Sequence, residues 1–269
     1  MSAPRPTPCV VRPLPEATGL RAVQARAGGL GAAALSPPRG VSKPHSRMRL
    51  TLFDLDGTLL ATDSDHAFGE FMVRLGWADG AEFRRLNDMF YAQYLAERLD
   101  IDAYIEFATA AWRRRNPAEL ALISERFNRE AVLPHLHDAA LALVRRHQDA
   151  GDQVVIVTAT NEFITRPIAQ LFGVSELIAT ELEVDADGHV NGKVRGVPAF
   201  REGKVRRVRD WLAQHGRGWD DCERITFYSD STNDLPLLEA VSHPVATNPG
   251  PALERIAVER GWPVIRLFE

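Results

Sequence analysis

The chain has 269 residues, of which 45% are hydrophobic and 25% are charged, and its formal net charge is −4. These values are typical of globular proteins with one or two domains. No apolar stretch approaches the roughly 18 residues that a membrane-spanning helix needs, which argues against an integral membrane protein. The two cysteines, Cys9 and Cys222, are too few for a disulfide framework or a four-cysteine zinc site, so we expect a reducing, cytoplasmic location.

Charge is unevenly distributed along the chain. Residues 1–47 carry a formal charge of +6, which leaves the remainder at −10. An acidic body of this kind disfavours nucleic acid and favours cationic small molecules or metal ions. We therefore expect a small-molecule partner and no nucleic-acid partner. We also expect no membrane partner, and a monomer or homodimer.

Residues 1–47 contain eight of the 17 prolines and no aromatic residue. Such a segment cannot bury enough apolar area to offset its ordering entropy, which predicts a disordered N-terminal extension. Its arginine-rich composition is also typical of an organellar transit peptide. Alternatively, Met48, directly before the first predicted strand, is the true start of the protein. The mass of the natively expressed protein distinguishes these alternatives.

A predicted buried strand, 49–56, is followed by a long helical block. Apolar residues recur at spacings of three and four through this block, which predicts amphipathic helices. The predicted helices cover 67–77, 81–99, 103–115 and 119–132. We interpret residues 65–147 as an all-helical cap inserted after the first strand.

Strands and helices alternate after the helix predicted at 138–151. The predicted strands are 153–158, 224–229, 244–247 and 263–268, with a hairpin between arms 179–184 and 189–194. The predicted helices are 162–173, 202–216, 234–241 and 251–261. This order predicts an α/β, Rossmann-like parallel sheet with helices on both faces, built from residues 48–64 and 148–269.

Polar residues follow several predicted strands. Since ligands of open α/β sheets bind beyond the carboxyl ends of the strands, these residues are expected to meet at one edge. After the first strand come Asp54, Asp56, Gly57 and Thr58; at the second, Thr158, Ala159, Thr160 and Asn161; and after the strand 224–229, Asp230, Ser231, Asn233 and Asp234. Lys204, near the start of the predicted helix 202–216, is expected to join them.

This set of side chains suits phosphoryl transfer. Mg²⁺ prefers carboxylate oxygens together with substrate phosphate. Asp54 and Asp56 point the same way at a strand end, so one could act as a nucleophile while the other moves a proton. Lys204 and the Thr158 hydroxyl would bind the phosphoryl oxygens.

The string 54-DLDGTL-59 resembles the first signature of the haloacid dehalogenase-like phosphohydrolases. Thr158 matches the second signature, Lys204 the third, and 230-DSTND-234 the fourth. The resemblance covers residues 48–269 and is strongest to the phosphoserine-phosphatase branch, which carries a helical cap at this insertion site.

The resemblance implies a role for each matched residue. Asp54 would become an aspartyl phosphate, and Asp56 would act as general acid and then as general base. Mg²⁺ would be held by the Asp54 carboxylate, the Asp56 main-chain carbonyl and Asp230. Asp234 would not contact the ion but would support the residues that do. Thr158, Ala159 and Lys204 would bind phosphate.

Several of these residues have structural alternatives. Asp234 is also a candidate helix N-cap, and Lys193 is an alternative to Lys204. Thr160 and Asn161 are expected to cap the following helix rather than to contact substrate.

Three further residues are expected to be structural. His135 and His137 have a metal-like spacing, but a solvated helix start explains them better. Asn248, before a proline, is interpreted as a turn residue.

The segment 62-TDSDHAFGEF-71 carries the prediction about substrate. One interpretation is a helix N-terminus with Ser64 or Asp63 as its cap. The other is a cation-binding pocket in which Asp63, Asp65 and His66 contact substrate. Phosphoserine phosphatases resemble the chain in placing an acid at position 63, but the segment 158-TATN-161 departs from their second signature.

The segments 62–71, 158–165 and 228–238 together are similar to those of bacterial histidinol-phosphate phosphatases of this family, which act in histidine biosynthesis. Histidinol phosphate carries an amine and an imidazole but no carboxylate, which fits an acidic pocket. We therefore predict a Mg²⁺-dependent histidinol-phosphate phosphatase. Phosphoserine and other small phosphomonoesters remain alternative substrates, and a non-catalytic protein that binds a phosphorylated ligand is a more distant alternative.

Overall fold

The computed structural model describes residues 47–268, all of which lie in one unit, Ser46–Glu269. The predicted disordered extension, 1–47, lies outside the described residues except for Arg47. Within the described part, no helix is both long enough and apolar enough to cross a membrane.

A six-stranded, entirely parallel sheet forms the centre of the described chain, in the order β3-β2-β1-β6-β7-β8. Its strands are β1 (Met48–Phe53), β2 (Gln153–Asn161), β3 (Glu176–Thr180), β6 (Cys222–Ser229), β7 (His243–Thr247) and β8 (Val264–Ile265). The predicted α/β, Rossmann-like fold is confirmed. Because β1 lies between β2 and β6, the residues at and after the carboxyl ends of these three strands meet at the middle of one edge.

Four helices of the segment between β1 and β2 precede a short irregular stretch. They are α1 (Ser64–Arg74), α2 (Gly80–Leu95), α3 (Ile101–Thr109) and α4 (Pro117–Phe127). Asp79, Asp100 and Asn116 cap the last three by accepting a bond from a main-chain N–H of the first turn. A π-helical turn (Asn128–Val132) and a 3₁₀ turn (Leu133–His135) lead on to the sheet.

Two layers of helices cover the sheet. The remaining helices are α5 (Asp138–Asp149), α6 (Glu162–Leu171), α7 (Glu202–Gln214), α8 (Leu235–Ala240) and α9 (Pro251–Arg260). The face of β1 that carries Phe53 packs with α5, α6 and the helices of the insertion, whereas the Leu52 face packs with α7, α8 and α9. The alternation of buried side chains along β1 therefore fixes both layers.

Helix α5 lies on the sheet. It contacts β2, and its His147 side chain hydrogen-bonds to Thr51 of β1 (3.1 Å) and to the Tyr228 hydroxyl of β6 (2.8 Å). We therefore propose that the inserted cap ends before α5, which moves the boundary that was predicted at residue 147.

The predicted hairpin is shorter than expected at its first arm. Residues 179–180 belong to β3 of the main sheet, and the hairpin pairs β4 (Leu182–Val184) with β5 (Val190–Val194). Strand β8 is also shorter than the predicted 263–268, because the Asn248 side chain accepts the main-chain N–H groups of Leu267 (2.6 Å) and Phe268 (3.4 Å).

Candidate active site

Asp54 lies directly after β1, at the centre of the sheet edge. Its main-chain N–H donates to the Tyr228 carbonyl of β6 at 2.9 Å, which continues the ladder past the end of the strand. The Asp54 carboxylate accepts a bond from Lys204 Nζ at 2.8 Å and is nearly buried. The predicted nucleophile is thus held by both main chain and side chain.

Lys204 joins two carboxylates. Its Nζ is 2.8 Å from Asp54 Oδ1 and 2.8 Å from Asp234 Oδ2, and the Ser229 hydroxyl also donates to Asp234 Oδ2 at 2.7 Å. Burial alone would lower the pKa of Lys204, but the charges of Asp234 and Asp54 outweigh it and raise that pKa. The alternative lysine, Lys193, is exposed on β5.

Asp234 occupies the N-cap position of α8, but its side chain makes no capping bond. Its carboxylate instead holds Lys204. The observed contacts therefore agree with the prediction that Asp234 supports the site residues, and they do not agree with the alternative that it caps the helix through its side chain.

Asp56 is oriented by two hydrogen bonds. Its Oδ1 accepts the Ser64 main-chain N–H at 2.8 Å, and its Oδ2 accepts the Thr160 hydroxyl at 3.0 Å. The expectation that Thr160 caps the next helix is wrong, because its hydroxyl is turned toward Asp56. Asn161 alone is the N-cap of α6, through a bond from Ile164 N at 3.3 Å.

Gly57 allows the β1 loop to approach Asp230. Its φ is +72°, and a Cβ at this position would lie 2.4 Å from Asp230 Oδ2. Any other residue would be strained and would collide with the carboxylate. Thr58 completes the contact, since its hydroxyl donates to Asp230 Oδ1 at 3.0 Å and accepts the Asp230 N–H at 3.0 Å.

Burial raises the pKa values of the acids at this edge. The pKa of Asp54 rises to about 6 despite the attraction of Lys204. The pKa values of Asp56 and Asp230 lie well above the usual range, because burial is reinforced by the neighbouring charges of Asp63 and Asp54, respectively. Negative charge at the edge is therefore not fully compensated by protein cations.

The edge has the donor chemistry of a Mg²⁺ site. Asp54 Oδ2 and Asp230 Oδ1 lie 3.5 and 3.0 Å from the same Thr58 hydroxyl. Within residues 47–268, Lys204 bonds to Asp54, and no protein cation bonds to Asp230. Closely spaced, under-compensated oxygen ligands are what Mg²⁺ prefers. The residues present fit the predicted ion.

A different group of side chains has three ligand atoms within 4.8 Å of one another: Asp185, Asp187 and His189, the one such group in the described part of the chain. Asp54, Asp56 and Asp230 therefore do not form such a cluster through side chains alone. The group at 185–189 is the turn of the β4–β5 hairpin, where Asp185 Oδ1 accepts the N–H groups of Asp187 (3.0 Å) and His189 (2.9 Å). Turn formation explains this proximity.

The carboxyl end of β2 supplies Thr158 and Ala159 beside the carboxylates. Both residues line the same pocket as Asp54 and Asp56. Thr158 is buried, and its hydroxyl oxygen accepts the Thr160 main-chain N–H at 3.2 Å. The predicted phosphate-binding residues are therefore brought to the predicted nucleophile.

The predicted substrate residues Asp63, Asp65 and His66 line the same pocket as Asp54 and Asp56. Asp63 is the N-cap of α1, since its Oδ1 accepts the His66 N–H at 2.8 Å; the N-cap prediction is confirmed for Asp63 and wrong for Ser64. Asp65 is buried, and burial together with the charge of Asp63 raises its pKa to about 7. The His66 Nε2 atom lies within hydrogen-bond distance of Asp88 Oδ1, at 3.0 Å.

Sequence reasoning missed the opposite wall of this pocket. It is formed by α2, the segment that follows α2 and the first half of α3, through Asn87, Phe90, Tyr91, Tyr94, Leu99, Ile101 and Tyr104. Their helical spacing predicted only buried faces, and no motif distinguished a residue that faces a pocket from one that faces the core. Among the described lining residues there are four acids and one histidine, but no arginine or lysine.

Asn248 is a turn residue, as predicted, and its side chain also binds the loop that follows Asp54. It adopts a φ of +46°, as expected of a turn residue. Its amide also donates to the carbonyls of Gly57 (2.9 Å) and Thr58 (3.1 Å), so it fastens the loop that follows Asp54. His135 and His137 belong to no metal-like cluster in the described chain, and His137 packs against the Phe268 ring.

Comparisons with known proteins agree with this architecture. The model of the haloacid dehalogenase-like hydrolase family matches residues 51–239. A histidinol-phosphatase of Neisseria meningitidis serogroup C (strain 8013) is 44% identical over 216 residues, which cover 80% of this chain and 97% of that protein.

Two solved structures are also similar. The crystal structure of a protein of unknown function from Bordetella pertussis Tohama I is 48% identical with a TM-score of 0.79, over 83% of this chain and 100% of that one. A phospho-aspartyl intermediate analogue of phosphoserine phosphatase shares the fold, with a TM-score of 0.59 at 14% identity over 83% and 95% of the two chains. Because the family model spans most of the chain and the Neisseria relative matches along nearly its whole length, this chain belongs to the haloacid dehalogenase-like hydrolases and is a phosphatase.

Proposed function

We propose that the protein hydrolyses histidinol phosphate through a covalent intermediate on Asp54. In the first step an Asp54 oxygen attacks phosphorus, the bond from phosphorus to the ester oxygen breaks, and Asp56 donates its proton to the departing alkoxide. In the second step Asp56 takes a proton from water, whose oxygen attacks phosphorus, and the bond from phosphorus to the Asp54 oxygen breaks. Inorganic phosphate leaves, and both carboxyl groups return to their starting states.

The environment of Asp56 supports this assignment. A general acid must hold its proton until the leaving group needs it, and burial raises the pKa of Asp56 well above its usual value. The bonds from Ser64 N and the Thr160 hydroxyl fix the direction of the carboxyl group. Thr160 is thus a positioning residue for the proton transfer.

The remaining residues at the edge would bind the phosphoryl group. Lys204 and Thr158 would neutralise and hydrogen-bond its oxygens, together with the main chain at Ala159. Mg²⁺, held by Asp54, Asp230 and the Asp56 carbonyl, would neutralise charge on the phosphoryl oxygens. Asp234 would keep Lys204 in place.

The lining of the pocket is the observation that carries the choice of substrate. Asp63 and Asp65 share the pocket with Asp54 and Asp56, while its described lining has no arginine or lysine to bind a carboxylate. Histidinol phosphate has an amine and an imidazole but no carboxylate, whereas phosphoserine has one. The aromatic rings of Tyr91 and Tyr94 would pack against the imidazole, and the Neisseria relative is named for this activity.

Some wider properties belong to the same proposal. We infer a cytoplasmic enzyme of histidine biosynthesis that acts as a monomer or homodimer, with a small phosphorylated metabolite as its partner. We also propose that α1–α4 form a cap over a sheet domain that includes α5.

The test compares kcat/KM for histidinol phosphate and for phosphoserine with purified enzyme and Mg²⁺. We expect a preference of at least about 100-fold for histidinol phosphate, since rejecting phosphoserine costs the burial of an unpaired carboxylate. Equal values, or a preference for phosphoserine, would remove histidinol phosphate as the substrate.

Asp63→Asn separates substrate binding from helix capping. Asparagine caps a helix as well as aspartate does, so the variant loses charge but keeps the bond to His66 N. We expect kcat/KM for histidinol phosphate to fall about 10- to 100-fold, with little change for p-nitrophenyl phosphate. Asp79→Asn, at the exposed N-cap of α2, is the matched control and should change neither value.

A further inference from the structure

The end of α2 is fastened to two loops of the sheet. The Asn233 amide donates to the Tyr94 carbonyl at 3.1 Å, and the Thr232 hydroxyl donates to the Glu97 carboxylate. The Arg201 guanidinium donates to the Glu97 carbonyl. We name these five residues the α2 latch. It connects segments more than 100 residues apart in the sequence.

The latch joins the two sides of the pocket. On the helical side, α2 carries Tyr91 and Tyr94, which line the pocket. On the sheet side, Arg201 is three residues before Lys204, and Asn233 directly precedes Asp234. A shift of α2 relative to the latch loops would therefore separate the aromatic wall from the groups that hold Asp54.

Two latch residues have backbone conformations that favour glycine. In residues 47–268 only three non-glycine residues have positive φ, and two of them are Glu97 (φ +58°) and Arg201 (φ +51°, ψ −123°). Such conformations cost on the order of 1–3 kcal/mol each. Glycine would adopt both conformations without this cost.

Arg201 binds both sides at once. Its Nε donates to Asn233 Oδ1 at 3.2 Å while another guanidinium nitrogen donates to the Glu97 carbonyl. The guanidinium also lies over the Phe200 ring, 5.0 Å from its centroid, and that ring lies 6.3 Å from the ring of Tyr94. Only a planar fork with several donors can make these contacts together, and lysine cannot.

We propose that Arg201 and Glu97 are positioning residues, which hold α2 over the pocket in register with the Lys204 and Asp234 loops. This role rests on the proposed use of the pocket as a substrate site. When the latch is weakened, a smaller fraction of molecules has the assembled pocket, and the apparent affinity falls in proportion. Substrate still draws α2 into place once it is bound, so KM should change more than kcat.

The first experiment uses Arg201→Lys, with Arg206→Lys as its control on the exposed face of α7, the helix that Arg201 directly precedes. Hydrogen exchange of the amides at 88–95 is measured in the substrate-free protein, and we expect it to be about five- to tenfold faster in Arg201→Lys, with exchange in β1 and β2 unchanged. KM should rise about tenfold with kcat within about twofold. Arg206→Lys should leave all these values at those of the wild type.

Glu97→Gly separates positioning from stability. Glycine relieves the positive φ, so the melting temperature should stay the same or rise, whereas KM should increase as in Arg201→Lys because the contact with Thr232 is lost. If Glu97 had a purely structural role, its substitution would lower both stability and activity or would change neither.

Unchanged amide exchange at 88–95 together with unchanged KM in both variants would overturn the proposal. The exchange measurement needs no substrate. If exchange accelerates as expected while the wild type fails to hydrolyse histidinol phosphate, the latch stands and the proposed function falls.

Discussion

The two walls of the pocket are built in different ways. The sheet wall is polar and densely bonded: Asp54, Asp56 and Asp230 each receive hydrogen bonds from neighbouring side chains or main chain. The helical wall is mostly aromatic and comes from α2 and α3, and α2 is fastened to the sheet through the latch. Under the proposed function, the sheet wall would carry the chemistry and the inserted helices would select the substrate.

The largest expected effect tests the sheet wall. Asp54→Asn keeps the size of the side chain but removes the nucleophile, so kcat should fall by at least about 10⁴-fold for every phosphomonoester. Asp210→Asn, an exposed carboxylate on α7, is the control and should retain full activity. Mass spectrometry of quenched turnover should place a phosphoryl adduct on residue 54 of the wild type. An adduct on another residue would contradict the proposed chemistry.

Lys204→Met tests whether the same wall depends on its buried cation. Removing Lys204 leaves Asp54 and Asp234 facing each other without compensation, which should lower the free energy of unfolding by about 3–5 kcal/mol. The rate constant kcat should fall about 10²- to 10³-fold, because the phosphoryl oxygens lose their cation. Chemical denaturation and steady-state kinetics measure the two effects. Lys193→Met should reproduce neither; equal effects there would restore Lys193 as the alternative.

Asp65→Asn tests the acidic part of the substrate pocket through pH. Burial raises the pKa of Asp65 to about 7, so its carboxylate is charged only above that pH. KM for histidinol phosphate should be about 30-fold higher in the variant at pH 8, with a difference that shrinks as the pH falls below 7. Asp102→Asn, exposed at the start of α3, is the control. A constant ratio across pH 5.5–8.5 would contradict the role of charge.

The raised pKa of Asp65 also predicts that Asp65→Asn, although it binds substrate less well at high pH, is more stable than the wild type there. The unfolded chain releases the Asp65 proton near pH 4, but the folded protein holds it until about pH 7, so stability falls as pH rises across this interval. At pH 8 Asp65→Asn should therefore melt at a higher temperature than the wild type. Below pH 4 the advantage should vanish, because the carboxyl group is then neutral in both states.

The smallest expected effect concerns the loop after Asp54. Asn248→Gly keeps the positive φ but removes the amide, which donates to the Gly57 and Thr58 carbonyls and accepts the Leu267 and Phe268 N–H groups. The free energy of unfolding should fall by about 2 kcal/mol, and kcat about threefold, because the loop loses its fastening. Asn116→Gly, at the N-cap of α4, should cost only a few tenths of a kcal/mol. Identical losses in the two variants would show that Asn248 acts only as a turn residue.

The sequence determined the fold and the sheet wall. Alternating buried strands and amphipathic helices predicted the parallel sheet, and the β1 and β2 ends placed Asp54, Asp56 and Thr158 at one edge. This worked because strand ends and helix starts are local features, and the topology of a parallel sheet brings them together without further information.

The tertiary structure decided which polar atoms meet. The sequence around Thr160 predicts a helix cap, yet its hydroxyl binds Asp56. The sequence around Asn248 predicts a turn residue, although its side chain binds a loop 190 residues away. The aromatic wall and the contact between Arg201 and Glu97 have no local signature either. Side-chain direction and contact across long separations depend on how the helices pack on the sheet, and periodicity along one element carries no information about its partner.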